Sequence, residues 1–268
     1  LRMPVFENAE VHLHYERSDK GPPLLLIAGM MSDSASWAPL IPLLEPHFDV
    51  IRPDNRTTGR TIPWNAPVCI DRVASDCKAL LSELGAGPAH VMGHSMGGMI
   101  GMRLAKRYTD VVKTLTLAAA APLRLERNVE LFRTLLAIRR SNAAPDVWLR
   151  SLFPWLFAPA FFEASGAVEQ AAAASLAYPH AQSAEAMALQ IESLDGYTPD
   201  AIADLGCPVQ AILGQDDLLM PTSLAKSVLE ATAVHIIPNA GHSIHLDAPD
   251  AVAAQLIQYI AQSEETIA

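Results

Sequence analysis

The sequence predicts an α/β protein: a mainly parallel sheet flanked by helices, with an inserted helical segment. Three observations carry this. Short apolar runs alternate with segments of helical periodicity over most of the chain, as parallel strands and their crossover helices do. The alternation stops between about 123 and 205, where only helical patterns remain. One strand-to-helix junction, residues 90 to 101, holds a serine spaced between glycines in HVMGHSMGGMIG.

The strand-like runs are 11–15, 24–28, 48–52, 89–92, 112–117, 209–213 and 234–237. Their richness in Val, Ile and Leu suits strands buried on both faces. The first two are separated by 16–23, which contains Ser18, Gly21 and Pro22, and this spacing predicts an antiparallel hairpin at the sheet edge. Helical periodicity covers 68–84, 96–108, 221–231 and 249–262. Residues 1–122 and 206–268 are therefore expected to form the α/β core, and 123–205 a helical cap. That insertion is polarised. Arg124, Arg127, Arg133, Arg139, Arg140 and Arg150 crowd its first third, and no Lys or Arg occurs from 151 through 225. Trp148, Phe153, Trp155, Phe157, Phe161 and Phe162 all fall within 148–162. They must pack the cap and cover a pocket at once, so Trp148, Trp155, Phe157 and Phe161, with Met31 below, are the expected pocket wall.

Half of the 268 residues are hydrophobic, enough for one large core. A net charge of −10 repels phosphate backbones and sets nucleic acid aside as a partner. No apolar run reaches the roughly 18 residues that span a bilayer, so no membrane partner is expected. The opening LRMPVFENAE lacks the charged and apolar regions of a secretory signal, which suggests a cytoplasmic protein. Cys69, Cys77 and Cys207 form no C-x-x-C and read as reduced thiols, Cys77 on the apolar stripe of the 68–84 helix. His12 and His14 could share a strand face, but no ligand cluster accompanies them. They read as surface residues, and no metal or organic cofactor is expected.

A serine hydroxyl is a poor nucleophile without a base in reach and a third group to orient that base. Ser95 follows the strand at 89–92 and opens the helix beginning near Met96. On so sharp a turn, side chains two residues before and after it would clash, which accounts for Gly93 and Gly97. The helix start aims free N–H groups at negative charge forming beside Ser95. Carboxylates follow the strand at 209–213 in ILGQDDLLMP; Asp216 and Asp217 are neighbours, so only one can face inward. Imidazoles follow the last strand in IIPNAGHSIHLDAP, at His242 and His245. The order Ser…Asp…His along the chain is that of a strand-to-helix nucleophile with distant partners.

Five motifs in sequence, LLLIAGMMSDSASW (24–37), DNRTTGRT (54–61), GHSMGG (93–98), GQDDLLMP (214–221) and AGHSIHLDAP (240–249), resemble those of the α/β-hydrolase superfamily over nearly the whole chain. The resemblance implies a triad of Ser95, Asp217 and His242: the acid stands three residues after Gly214 and four before Pro221, and the histidine follows Gly241. Asp216 and His245 are then left outside. It also implies an oxyanion hole from the backbone N–H of Met96 and of Met30, where this chain has Ala28-Gly29 instead of the frequent His-Gly. Relatives usually have glycine where Thr57 stands; a β-branched residue there predicts a negative φ. A serine nucleophile implies acyl chemistry rather than that of the aspartate-using dehalogenases and epoxide hydrolases. WLFAPAFF and ESLDGYTPDAIADLGCPV are similar to the caps of 3-oxoadipate enol-lactonases and small carboxylesterases. The expected function is thus hydrolysis of a small carboxylic ester or lactone through an acyl-enzyme on Ser95. A carbon–carbon hydrolase acting on a diketone is the alternative, and a non-hydrolytic small-molecule receptor a third. Arg124 and Arg127 fall where the cap begins, the place where an anionic substrate would want a cation.

Overall fold

Leu24, Leu25, Leu26 and Ile27 are all fully buried, a pattern that only a strand covered on both faces produces. Leu24 and Leu26 pack on one face with Trp37, Met92, Val252 and Leu256. Leu25 and Ile27 point the other way, into a larger cluster with Leu80, Val91 and Ile100. The computed structural model describes residues 5–8, 10–229 and 232–267. Its strands are β1 (Val5–Asn8), β2 (Val11–Arg17), β3 (Pro23–Ile27), β4 (Asp49–Pro53), β5 (Ala89–His94), β6 (Val112–Ala118), β7 (Val209–Gly214) and β8 (Ala233–Ile237). They form one sheet in the order β1-β2-β4-β3-β5-β6-β7-β8. Pairing is parallel from β4 through β8 and antiparallel for β1–β2 and β2–β4.

The expected edge hairpin between the runs 11–15 and 24–28 does not form. β2 pairs instead with β1 and β4, and β3 lies between β4 and β5. The reason is burial. β3 is apolar on both faces and needs a neighbour on each side, whereas β2 alternates buried Val11 and Leu13 with exposed His12, which suits a position near the edge. His14 departs from the surface reading: loop 54–61 folds over it, with Asp54 N–H donating to the His14 carbonyl at 2.9 Å, and its side chain is buried.

The helices are α1 (Ile41–Leu44), α2 (Ile70–Glu83), α3 (Met96–Arg107), α4 (Glu126–Arg139), α5 (Val147–Leu156), α6 (Pro159–Glu163), α7 (Ala167–Ala177), α8 (Ala184–Glu192), α9 (Thr222–Lys226), α10 (Ile244–Asp247) and α11 (Pro249–Ile267). The five from α4 to α8 occupy the stretch between β6 and β7, which contains no strand. The helix expected over 221–231 is shorter: α9 ends at Lys226, and 230–231 lie outside the described residues. Cys69, Cys77 and Cys207 are free thiols, Cys77 buried and the others half-buried. No helix among the described residues is long and apolar enough to cross a membrane.

Loop 54–61 is pinned from below by a buried ion pair. Arg56 donates from Nε to Asp76 Oδ2 at 2.5 Å and from Nη2 to Oδ1 at 2.9 Å, and from Nη1 to Glu10 at 2.6 Å. The Arg56 and Asp76 side chains are 4% and 1% exposed, so neither charge has water to fall back on. Thr57, next along, takes φ 69° rather than the negative value expected of a β-branched residue. The strain is held because the loop is closed at both ends. Thr58 N–H returns to the Asn55 carbonyl at 3.1 Å, and the Thr57 carbonyl accepts from Gln182 Nε2 at 3.0 Å. Replacing Asp76 by Asn leaves the buried Arg56 guanidinium with only the exposed Glu10 as counter-charge. A loss of about 3 kcal/mol in unfolding free energy is expected, read as a lower urea midpoint at unchanged m-value; a midpoint equal to wild type would show the pair to be energetically neutral.

Candidate active site

The strands from β3 to β8 are parallel, so their C-terminal ends share one edge, and the loops after β3, β5, β7 and β8 meet there. Ser95 sits between β5 and α3 with φ 54° and ψ −118°, a conformation that side chains rarely adopt. Close packing enforces it. A Cβ on Gly93 would lie 2.2 Å from the Gly97 carbonyl oxygen, and one on Gly97 would lie 2.0 Å from that of Ile27. Only glycines let the turn approach β3 this closely. Ser95 is half-buried and its side chain makes no capping bond to α3, so its hydroxyl is presented to a cavity rather than to the helix.

Asp217 is buried after β7 and fully engaged. Its Oδ1 accepts the N–H groups of Leu219 and Met220, each at 2.8 Å, and its Oδ2 accepts from His242 Nδ1 at 2.9 Å. Two backbone donors and an imidazole hold the carboxylate in one orientation. Its neighbour Asp216 is half-buried and makes no bond to His242. With the Nδ1 proton facing Asp217, the imidazole leaves Nε2 as its basic nitrogen. His242 and Ser95 line the same cavity, although the Ser95 hydroxyl is not hydrogen-bonded to the imidazole in this geometry. Bonds of this kind commonly close only when substrate is present.

Beside them the first turn of α3 starts at Met96, and the loop after β3 lies against Ser95: a Cβ on Gly29 would fall 3.2 Å from the Ser95 Cβ. Met30 and Met96 thus border the same small cavity as Ser95, from two different elements. The Met31 N–H is already bonded to Gln190 Oε1 at 2.9 Å, which ties this loop to α8.

Three buried histidine rings pack together behind the serine. His94 Nε2 donates to the His242 carbonyl at 2.9 Å, and the ring centroid of His245 lies 4.5 Å from that of His94 and 5.0 Å from that of Trp37. Asp216 and His245, the two neighbours the motif spacing leaves outside the triad, differ in place: Asp216 does not line the cavity, and His245 is part of its wall. Burial pulls the pKa of His94 well below its ordinary value and that of His245 down to about 3, with His242 a lesser cause for both.

A cavity of about 420 Å³ is lined by Ser95, and a second of about 50 Å³, also reaching Ser95, is bounded by Met96, Ala119, Ala120 and Val129. Of the expected pocket residues, Met31, Trp148 and Phe157 line the larger cavity, as does Met30. Trp155 and Phe161 do not. Phe161 stacks on Phe157 at 4.2 Å in a separate apolar cluster, and Trp155 packs toward the main core. Phe132 and Phe153, not assigned to the wall from sequence, line it instead. The insertion is fastened to the core by bonds that the sequence does not announce. Tyr178 Oη donates to Asp33 at 2.8 Å, Ser243 N–H to the Leu156 carbonyl at 2.8 Å, and the N–H groups of Gly241 and Ala158 converge on Asp247 at 2.7 and 3.1 Å. Burial raises the pKa of both Asp33 and Asp247. No three His, Cys, Asp or Glu side chains among the described residues are grouped to hold a metal ion.

Comparison with known proteins agrees with this architecture. The sequence profile of the alpha/beta hydrolase family matches residues 24–255. RutD of Azorhizobium caulinodans, which carries the provisional name carbamate hydrolase, is 28% identical over 98% of this chain and all of its own. An esterase from Thermogutta terrifontis superposes with a TM-score of 0.80 at 23% identity, covering 94% of each chain. The enol-lactonase of Burkholderia xenovorans LB400 superposes at 0.79 with 23% identity, over 96% of this chain and 100% of its own. At these identities the two structures speak for the fold.

The buried histidines also carry a pH dependence. His94 and His245 stay neutral when folded, whereas in the unfolded chain they protonate near their ordinary value of 6.5. As pH falls below 6.5 the unfolded state therefore takes up protons that the folded state refuses. Stability falls by about 1.4 kcal/mol per pH unit for each such histidine, continuing toward pH 3 for His245. Urea unfolding at pH 7, 6 and 5 should show this slope, and His245→Gln should make it shallower by about one proton. An unchanged slope in the variant would mean that His245 titrates alike in both states.

Proposed function

The chain belongs to the alpha/beta hydrolase family, and on that premise we propose that it hydrolyses a small carboxylic ester or lactone through an acyl-enzyme on Ser95, beneath a cap formed by residues 123–205. The observation that carries this reading is the buried 2.9 Å pair of Asp217 and His242 opening onto the same cavity as a serine held at φ 54°.

Substrate binding draws Ser95 Oγ onto His242 Nε2, and the hydroxyl attacks the carbonyl carbon as its proton passes to the imidazole. Asp217 stabilises the imidazolium that forms and keeps Nδ1 protonated. The tetrahedral oxyanion receives the N–H groups of Met30 and Met96, the latter at the positive end of α3; one such donor is typically worth about 3 kcal/mol in the transition state. His242 then returns its proton to the departing alkoxide. Water enters, gives a proton to His242 and attacks the acyl carbon; the tetrahedral adduct collapses by breaking the bond to Ser95 Oγ, which takes that proton back from His242 as the acid leaves. The two volumes that meet at Ser95 suit unequal groups: about 50 Å³ for a small alkoxy fragment and about 420 Å³ for the larger part.

The relative named for carbamate hydrolysis, similar over the full length, favours a second reading in which the scissile carbonyl bears nitrogen. The same attack applies, and initial rates on an ethyl ester and on the matching N-alkyl carbamate separate the two.

A fluorophosphonate probe should label the wild type and not Ser95→Ala. With ester substrates, Ser95→Ala and His242→Ala are each expected to lower kcat about a millionfold. Asp217→Asn should lower it about 10⁴-fold by releasing the imidazole to the wrong tautomer, and Asp216→Asn should stay near wild type. Full activity in Asp217→Asn with loss in Asp216→Asn would reverse the choice of carboxylate.

A further inference from the structure

Among the described residues, Arg139 is the only Lys or Arg that lines the larger cavity. It is the last residue of α4, seven beyond Phe132, which borders both cavities beside Ser95. At 1.5 Å per residue that places its backbone about 10 Å further along the helix from the serine. Its partners are unusual for an arginine. The guanidinium lies over the Trp148 ring at 4.5 Å, donates to the Gln182 carbonyl, and faces the Met187 sulfur at 3.8 Å. No carboxylate among the described residues lies within ion-pair distance of it, although Glu185 acts on it from further away. Other arginines of the insertion are occupied: Arg124 and Arg133 hold Glu126, Glu130 and Asp195, and Arg150 holds Asp146 and Glu169. Arg127 donates to the Leu218 carbonyl. Arg124, just before α4, borders the smaller cavity but already holds Glu126 and Asp195, whereas Arg139 at the end of α4 holds no carboxylate within ion-pair distance among the described residues.

A half-buried guanidinium keeps its charge in a protein. One donor on a carbonyl and a ring face leave several N–H groups of the fork unmatched by any anion. The one acidic group on the same cavity wall, Asp33, is already engaged by the Tyr178 hydroxyl at 2.8 Å and the Ala35 N–H at 2.9 Å. Among the described residues, then, no carboxylate stands at contact distance from the guanidinium, and Glu185 acts on it only from further away.

We infer that Arg139 and its cavity form a subsite for a carboxylate carried by the substrate, remote from the bond that is cleaved. The inference rests on the hydrolase reading and narrows it: the substrate class is the half-ester of a short dicarboxylic acid, or the carboxylate-bearing lactone of a hydroxy-substituted one. The small alkoxy group occupies the 50 Å³ cavity and the acid-bearing acyl chain the 420 Å³ one. A planar fork matches a carboxylate in two parallel bonds, and the surrounding apolar wall strengthens them.

The test compares monoethyl and diethyl esters of succinic, glutaric and adipic acid by pH-stat, with wild type, Arg139→Gln and Arg139→Lys. Arg139→Gln retains a donor for the Gln182 carbonyl, and thermal melts confirm that it folds. Wild type is expected to prefer a half-ester. In Arg139→Gln the ratio of half-ester to diester kcat/KM should fall about tenfold or more, the scale of one charge-assisted hydrogen bond, and mainly through KM, because the contact is made equally in ground and transition states. Arg139→Lys should restore part of the ratio. In parallel, calorimetry of monoethyl glutarate with Ser95→Ala should show binding that disappears in Ser95→Ala/Arg139→Gln. Diester turnover with no half-ester preference, and a ratio unmoved by Arg139→Gln, overturns the subsite and spares the hydrolase. Binding that depends on Arg139 without turnover of either ester keeps the subsite and overturns the hydrolase.

Discussion

The geometry of this protein turns on one close approach: the backbone of the β5–α3 turn pressed against the end of β3. Gly97 lies so near the Ile27 carbonyl that no Cβ fits between them, and Gly93 meets Gly97 in the same way. Ser95 is left with a strained backbone and with its side chain, next to His94, at the cavity wall. Strain of this sort, on the order of 1–3 kcal/mol, persists only where the surroundings over-determine it. Here the surroundings are the parallel ladder itself, since β3 and β5 are paired from Leu24 with His90 to Ile27 with Gly93.

The charged and polar groups around that turn are arranged so that few of them can move a proton. Asp217 spends one oxygen on two backbone N–H groups and the other on His242. His94 and His245 are buried too deeply to charge, and the former spends its Nε2 proton on the His242 carbonyl. The imidazole of His242 is thus bounded by a fixed carboxylate and by two neutral rings. Such a setting lets one base act without competition from its neighbours.

Above the sheet, the insertion is built from the same economy of contacts. Gln190, Gln182 and Tyr178 each cross from it to a loop of the core, at Met31, Thr57 and Asp33. Each fixes a backbone or carboxylate group that would otherwise stand unpaired beside the cavity. Arg139 is the exception, a cation in the wall with no carboxylate among the described residues within ion-pair distance.

What could be read from the sequence alone is what is local or strictly periodic. Strands in β3, β5 and β7 announce themselves as short apolar runs, α2 by its stripe from Ile70 to Leu81, and the elbow by glycines two residues either side of Ser95. Choosing Asp217 over Asp216 and His242 over His245 followed from motif spacing, and the pair it selects is the one bonded at 2.9 Å. Only the tertiary structure decided the place of β2, the positive φ of Thr57, and which aromatics meet the cavity. Neighbouring strands obey a two-residue alternation visible in the chain. The orientation of an insertion helix is set by contacts such as Gln190 with Met31, 159 residues apart, and no local pattern encodes them. Phe132 and Arg139 face the cavity for that reason, while Trp155 and Phe161, equally aromatic and equally placed in sequence, turn away.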